Sequence, residues 1–585
     1  MNEQTKTGIQ IIQVAVVLGV AGDLLLRATP WGVNVLLFNV IFAGAMLTLL
    51  WKRAPEQVTR QTLALFGAMV FFASMFAWRG AIELRVADTI AILVILSVLF
   101  VPKLRVPTQL AGVVHYGVGF VLSSLHAIGA PFVLVFNDVE WNTIPRDGWR
   151  KHVYSTLRGI AIATPLILIF GGLFVAADAA YAGLVERVFD VRPEIVFSHI
   201  ALFGLFGWMT AGYLRGVLIR SDSDIDVFNT DLSVVSADAA TAASKVDDFR
   251  AESGEHPITL GDRSIVDHLN ISDPPDKDAK AETAESVPEA SENQKKTTWA
   301  NFDNTIMPPV FTLGTVEIGV ILGLMNLLFL SFVIVQVPYL FGGMELVQNT
   351  PDFKLAEYAR RGFGELVTVA GLVLPILLAS HWLIRKETRL AENLFRVFAG
   401  IQIALLFVIM VSAVQRLVLL TGDLGYGMTT VRLYPLIFMS WLAIVFIWFA
   451  VTVLRGARKH FAWGALWAAF IVLGGAHVLN PDALIVKTNI ALMQQGREFD
   501  ASYNSNLSDD ALPALFSAIP DMSPEDRQTV AFRLANRFCE MREESDIRSS
   551  NLSRARAWSI LDSSGPFKEE IDCNIRYHIS PWGID

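Results

Sequence analysis

Charge is scarce in this chain of 585 residues: only 18% are Asp, Glu, Lys or Arg, against roughly 25% in soluble domains. That shortage excludes an ordinary water-soluble globule. Basic charge is scarcer still. The formal net charge is -9 and no basic domain stands out, which excludes nucleic acid as a partner. Catalytic signatures are missing too. There is no phosphate-cradling glycine loop, nucleophile elbow, thiol redox pair or recognised metal-ligand spacing. No cofactor, metal or catalytic residue is therefore assigned, and the balance is against an enzyme. The first apolar run, from Gly8, lacks an Ala-x-Ala-like cleavage site and carries Asp23 and Arg27 at its far end. It is expected to stay as a first helix, not to leave as a signal peptide.

Apolar length is what the sequence has in abundance. Hydrophobic residues make up 53% and mean hydropathy is +0.46. Many runs reach the roughly 20 residues that span a bilayer core. Strands of a membrane barrel would be about 10 residues long and alternating. These runs are apolar all round, so helices must satisfy their backbone in lipid. The expected fold is all-α: a polytopic bundle of about eleven crossings, each bounded to roughly ±3 residues, with a small helical soluble C-terminal domain. The crossings fall near 8–26, 33–50, 63–78, 86–101, 157–181, 195–219, 312–337, 363–384, 397–420, 433–454 and 463–478.

Segment 110–136 is apolar but glycine-rich and broken by Pro131. Lys103 and Arg105 precede it; Arg146, Arg150, Lys151 and Arg158 follow. Basic loops favour the cytoplasm, so both flanks are expected on one side. The segment would then be re-entrant or buried among other helices, as backbone chemistry allows where protein covers it. Applied to Lys52, Arg53 and Arg60, the same rule puts the N-terminus in the cytoplasm of a bacterial inner membrane and the C-terminus outside. Residues 221–300 hold 18 acids and 7 bases with few aromatics, too little apolar surface to order itself. The expected organisation is a first membrane half (1–220), an acidic disordered cytoplasmic linker (221–305), a second membrane half (306–480) and an extracytoplasmic helical domain (481–585). In that domain Ser523-Pro-Glu-Asp526 reads as a helix start, followed by Val530, Leu534, Phe538 and Met541 at helical spacing. Cys539 and Cys573 could form a disulfide outside the cytoplasm, closing about 35 residues and contributing about 3–4 kcal/mol in the chain-entropy picture. Two unpaired thiols fit the sequence equally well.

Polar residues inside the spans are the candidate sites. A carboxylate such as Glu317 costs about 2.5–3.5 kcal/mol in a helix centre, so it should face protein or a wet cavity. Asn326 and Gln336 share its helix, but the successive steps turn roughly 180° and 80°, so the three form no stripe. Interhelical hydrogen bonding is the plain role; binding or proton handling is the sharper one. Gln402 and Arg416 share a face within about 40°. His115 and His126 lie about 20° apart, yet two histidines fall short of a metal site. The stretch Glu357-Tyr-Ala-Arg-Arg-Gly-Phe-Gly-Glu365 pairs Arg361 with both glutamates at i, i+4, worth about 0.2–0.5 kcal/mol each. Arginine is depleted on the outer side, and guanidinium suits phosphate or carboxylate. Arg360, Arg361 and Glu365, with Glu317, Asn326, Gln336 and Arg416, are thus the ligand-binding candidates, for an anionic lipid or solute at the outer face.

Five stretches carry a resemblance: Glu317 through Asn326-Leu-Leu-Phe329, Gln336-Val-Pro-Tyr-Leu-Phe-Gly-Gly343, Tyr358-Ala-Arg-Arg-Gly-Phe363, Tyr426-Gly-Met-Thr-Thr-Val-Arg-Leu-Tyr434 and Asn480-Pro-Asp482. Over residues 309–482 the chain resembles a family of bacterial polytopic membrane proteins defined by a domain of unknown function. The resemblance implies a multi-helix membrane protein with a soluble tail and supplies no substrate. Three functions fit: a carrier of a small solute or lipid, a non-catalytic envelope sensor or scaffold with a protein partner at the linker or C-terminal domain, or a membrane enzyme acting on a lipid-linked substrate. The last is the weakest, because a glycosyltransferase of that kind wants an acid in the first outer loop and residues 27–31 offer none.

Overall fold

In a computed structural model of the chain, residues 2–104, 106–141, 193–219, 314–341, 355–384, 389–423, 427–543 and 546–563 are described. The chain divides into two units, residues 1–219 with 299–585 and residues 220–298. The expected crossing at 157–181 and the acidic stretch lie outside the described residues.

Eleven described helices are long and apolar enough to cross a membrane. They are α1 (Glu3–Leu26), α2 (Val33–Arg53), α3 (Arg60–Trp78), α4 (Ile82–Phe100), α5 (Val113–Val133), α6 (Pro193–Leu218), α7 (Thr315–Phe341), α8 (Leu355–Leu383), α9 (Arg389–Val418), α10 (Thr430–Thr452) and α11 (Phe461–Leu479). Local chemistry marks their starts. Asn2 accepts from Gln4 N–H at α1, and Thr59 accepts from Thr62 N–H at α3. The outward faces are covered by exposed apolar side chains such as Val17, Leu24, Leu327 and Ile447, as lipid requires. Small residues let helices approach closely. A Cβ on Gly22 of α1 would lie 2.5 Å from the Phe206 ring of α6.

The helix pairings define two ends of the bundle. At the Glu3 end, Arg53 at the end of α2 meets Glu3 at 2.7 Å, and Gln61 at the start of α3 reaches Gln109 at 3.1 Å. At the opposite, Arg79 end lie the α1–α2 and α3–α4 turns. Helix α6 runs antiparallel to α1, pairing His199 with Asp23 at 2.6 Å and Gly207 with Ala15, so it ends at the Glu3 end. In the second half, α7 runs parallel to α9, with Gly319 against Leu394 and Asn326 against Phe398. The α8 end packs on the α9 start through His381 and Phe395, 5.1 Å apart.

Helix α5 behaves differently. Tyr116 near its start donates to Thr108 O at 3.0 Å. His126 in its middle lies 3.3 Å from Lys103, just past α4. Asp138, on the π turn that continues α5, takes bonds from Gln4 of α1 and Arg215 of α6. All these partners sit at the Glu3 end, so both ends of the segment do as well, in keeping with its two basic flanks. Its path is one uninterrupted helix laid across the bundle end, without the hairpin a re-entrant loop needs. Gly212 makes the crossing possible, since a Cβ there would lie 2.3 Å from His126 O.

Three apolar cores result. One joins α1–α6 through Ile11, Met46, Phe72 and Leu214. A second joins α7–α10 through Ile318, Leu366, Phe395 and Phe446. Helix α11 belongs to both: Phe461 and Ala468 enter the second core, while Phe470 packs on Phe72 at 5.2 Å in the first. The third core belongs to a helical domain of α12 (Pro481–Gln494), α13 (Ala501–Ser505), α14 (Leu512–Ala518), α15 (Pro524–Glu543) and α16 (Leu552–Ser563). There Ser523 caps α15 by accepting from Asp526 N–H at 3.1 Å, and Val530, Leu534, Phe538 and Met541 are all buried.

Candidate functional site

The helical domain docks on the Arg79 end, and the seam holds the most heavily buried charge among the described residues. Two chain turns build it. The α3–α4 turn supplies Arg79 and, on the second turn of α4, Asp88. The α11–α12 joint supplies His477 and Asp482. That joint is sharp because Asn480 adopts a left-handed conformation (φ 53°) that ends α11. Its side chain then accepts from Ala483 N–H, and Pro481 fills the first position of α12.

Asp88 and His477 are both 0% exposed, and His477 Nε2 lies 2.9 Å from Asp88 Oδ1. The second carboxylate oxygen, Asp88 Oδ2, and the second ring nitrogen, His477 Nδ1, have no hydrogen-bond partner among the described residues. The Tyr434 hydroxyl and Asp482 Oδ1, buried at the same seam, have none either. Arg79 ties this pair to the domain. Its Nε donates to His477 O at 2.8 Å and its Nη1 to Asp510 Oδ1 at 3.0 Å, while Gly80 N–H donates to Asp510 Oδ2 at 2.6 Å. The guanidinium also stacks on Trp78, 4.4 Å from the ring centre. Nearby, Ser508 N–H donates to Asp482 Oδ2 at 3.0 Å. Burial pushes the Asp482 carboxyl above the ordinary aspartate range, with Ser508 opposing, and burial likewise raises Asp509. Further latches hold the seam. Asn551 Nδ2 donates to Phe76 O and Arg79 O, and Val33 N–H donates to Ser550 O.

Buried polar atoms left without partners are costly, so the contact is held in place by the packing and the Arg79 latches around it. No group of three or more His, Cys, Asp or Glu side chains able to hold a metal occurs among the described residues.

The residues singled out from sequence lie elsewhere. Glu317 is exposed at the start of α7, at the Glu3 end, whereas Glu365 is exposed on α8 towards the opposite end. Asn326 is buried and donates to Phe398 O at 3.0 Å. Arg416 is buried near the end of α9. The side chains of Gln336, Arg360 and Arg361, and the whole of Cys573, lie outside the described residues. Asp23 and Arg27 do pair, and His199 joins them. His115 accepts from Gly112 N–H at its own helix start, a structural use. The missed residues are Asp88, His477, Arg79 and Asp510. Asp88 had one legible signal, a carboxylate two turns into an apolar run. The others are joined to it only by folding.

Residues 65–233 and 284–518 match the model of a family described as a domain of unknown function, DUF4153. The chain belongs to that family. The matched ranges cover more than half of it, reach well into the first membrane half, and contain Arg79, Asp88, Tyr434, His477, Asp482 and Asp510. No curated protein and no solved structure matches the chain.

Proposed function

We propose that this DUF4153 member is a non-catalytic sensor or scaffold of the bacterial inner membrane, in which the Asp88–His477 pair couples the helix bundle to an extracytoplasmic C-terminal domain. The observation that carries it is the 2.9 Å contact of two fully buried titratable groups whose remaining side-chain polar atoms have no partner among the described residues, at the seam with that domain. An intramembrane ionisable pair is costly and is kept where it works. Arg79 links the pair to the domain, bonding both His477 O and Asp510. Hydrogen exchange of full-length protein in detergent tests this. Amides around 508–510 and 549–551 are expected to exchange faster in His477→Gln than in wild type. Unchanged exchange in the variant overturns the proposal.

The orientation follows from charge. Lys52, Arg53, Arg60, Lys103, Arg396, Arg458 and Lys459 gather at the Glu3 end, which is therefore assigned to the cytoplasm. An alkaline phosphatase fused to the C-terminus should be active and a fluorescent protein there dark; the reverse result removes the orientation. A second reading, a carrier of a small solute or lipid, has its own observation. Asn326 Oδ1 on α7 and both amide atoms of Gln402 on α9 are buried without partners among the described residues, polar atoms deep in the apolar bundle.

A further inference from the structure

At the Glu3 end, far from the seam, the α8 end, the α9 start and the turn after α10 enclose a cavity of about 270 Å³. Its floor is apolar: Phe395 and Val453 are almost fully buried. Its mouth is cationic, carrying Arg396 and Arg458 with His381 and a single carboxylate, Glu392. Arg396 lies 3.6 Å from Glu392, longer than a direct hydrogen bond, and its side chain is 43% exposed. Its guanidinium rests against Gly456, whose left-handed backbone (φ 87°) bends the turn back over the cavity.

We infer that this cavity binds a phosphate-bearing anion, with the phosphodiester of an anionic lipid headgroup as the form that fits best. Arg396 and Arg458 place two guanidinium groups at one mouth, above an apolar floor, an arrangement that suits a phosphodiester carrying acyl chains better than a free phosphate. Guanidinium forks bind phosphate oxygens through paired charge-assisted bonds. The apolar floor suits the glycerol and upper acyl carbons. The cavity also opens at the bundle end where basic residues gather, the leaflet side on which anionic lipids attract them. This inference is independent of the Asp88–His477 proposal and lies at the end opposite the expected outer-face site of Arg360 and Arg361.

The test is native mass spectrometry of the full-length protein in detergent, titrated with phosphatidylglycerol, phosphatidylcholine or inorganic phosphate. Wild type should retain phosphatidylglycerol over phosphatidylcholine by about tenfold, and millimolar phosphate should compete weakly. Arg396→Gln with Arg458→Gln should reduce phosphatidylglycerol retention to the phosphatidylcholine level. Arg455→Gln, on the exposed turn, controls for general loss of charge. Should the double variant lose its fold, Glu392→Gln provides the complementary test and should strengthen phosphatidylglycerol retention. Equal retention of the two lipids, with no phosphate binding, overturns the inference. Saturable phosphate binding that the double variant abolishes, without lipid preference, supports the anion site and assigns it to free phosphate.

Discussion

The two ends of the bundle handle charge in opposite ways. At the Glu3 end, the buried Arg215–Asp138 pair apart, charge is carried mostly on exposed side chains. Lys6, Glu3 and Glu392 make pairs that water can replace. At the Arg79 end it is sealed under a folded domain, where Arg79 and Asp510 are 9% and 3% exposed and Asp88 and His477 lower still. Exposed pairs contribute little and vary little. Buried pairs are high-stakes, because removing one partner strands the other. The lesson is that burial says more than charge count about how much an ion pair matters.

The largest effect is expected at Arg79–Asp510. Asp510→Ala should destabilise the docked domain by about 3–5 kcal/mol, seen as a lower melting temperature and faster proteolysis at 508–510. Arg79→Leu with Asp510→Leu should recover much of that loss; a double variant worse than either single one breaks the comparison. Next, Asn551→Ala removes a side chain that bonds two backbone carbonyls, and should cost about 1–3 kcal/mol in the same melt. Smaller is the pH effect of Asp482. Its folded carboxyl titrates above the ordinary aspartate value, so the native state holds the proton more tightly than the unfolded chain. Stability is therefore fullest below the ordinary value and falls as pH rises through the folded one. Asp482→Asn should flatten that slope, measured by melting between pH 4 and 7 (a range set by), and a steeper slope would refute the assignment. The Cys539–Cys573 bridge, proposed for an extracytoplasmic domain, should shift gel mobility on reduction, and Cys573→Ser should remove the shift. At the other end, Glu3→Gln should leave the melting temperature unchanged.

Much of the fold was legible because apolar length has one solution in lipid. The described spans, and the α15 cap at Ser523 with its buried face, follow from local pattern. The path of α5 was not legible: length alone cannot separate a helix that crosses from one that lies across, and Gly212 reveals its role only beside His126. The seam was hidden for a related reason. Each member looks ordinary in its own stretch: Arg79 a loop base, His477 a residue in the last turn of α11, Asp510 one of several surface acids. Their meaning comes from pairing across hundreds of residues, which no window of sequence contains. Glu317 and Glu365 were conspicuous in sequence, and both are exposed.

Helix α11 has a consequence for how the protein is made. Phe470 completes a core begun at Phe72, and His477 meets Asp88 from 389 positions away. A ribosome adding roughly 5–20 residues per second takes about 20–80 s to bridge that gap. Throughout that interval Asp88 and Phe72 wait without the partners that α11 brings, so α11 acts as a keystone between the two cores.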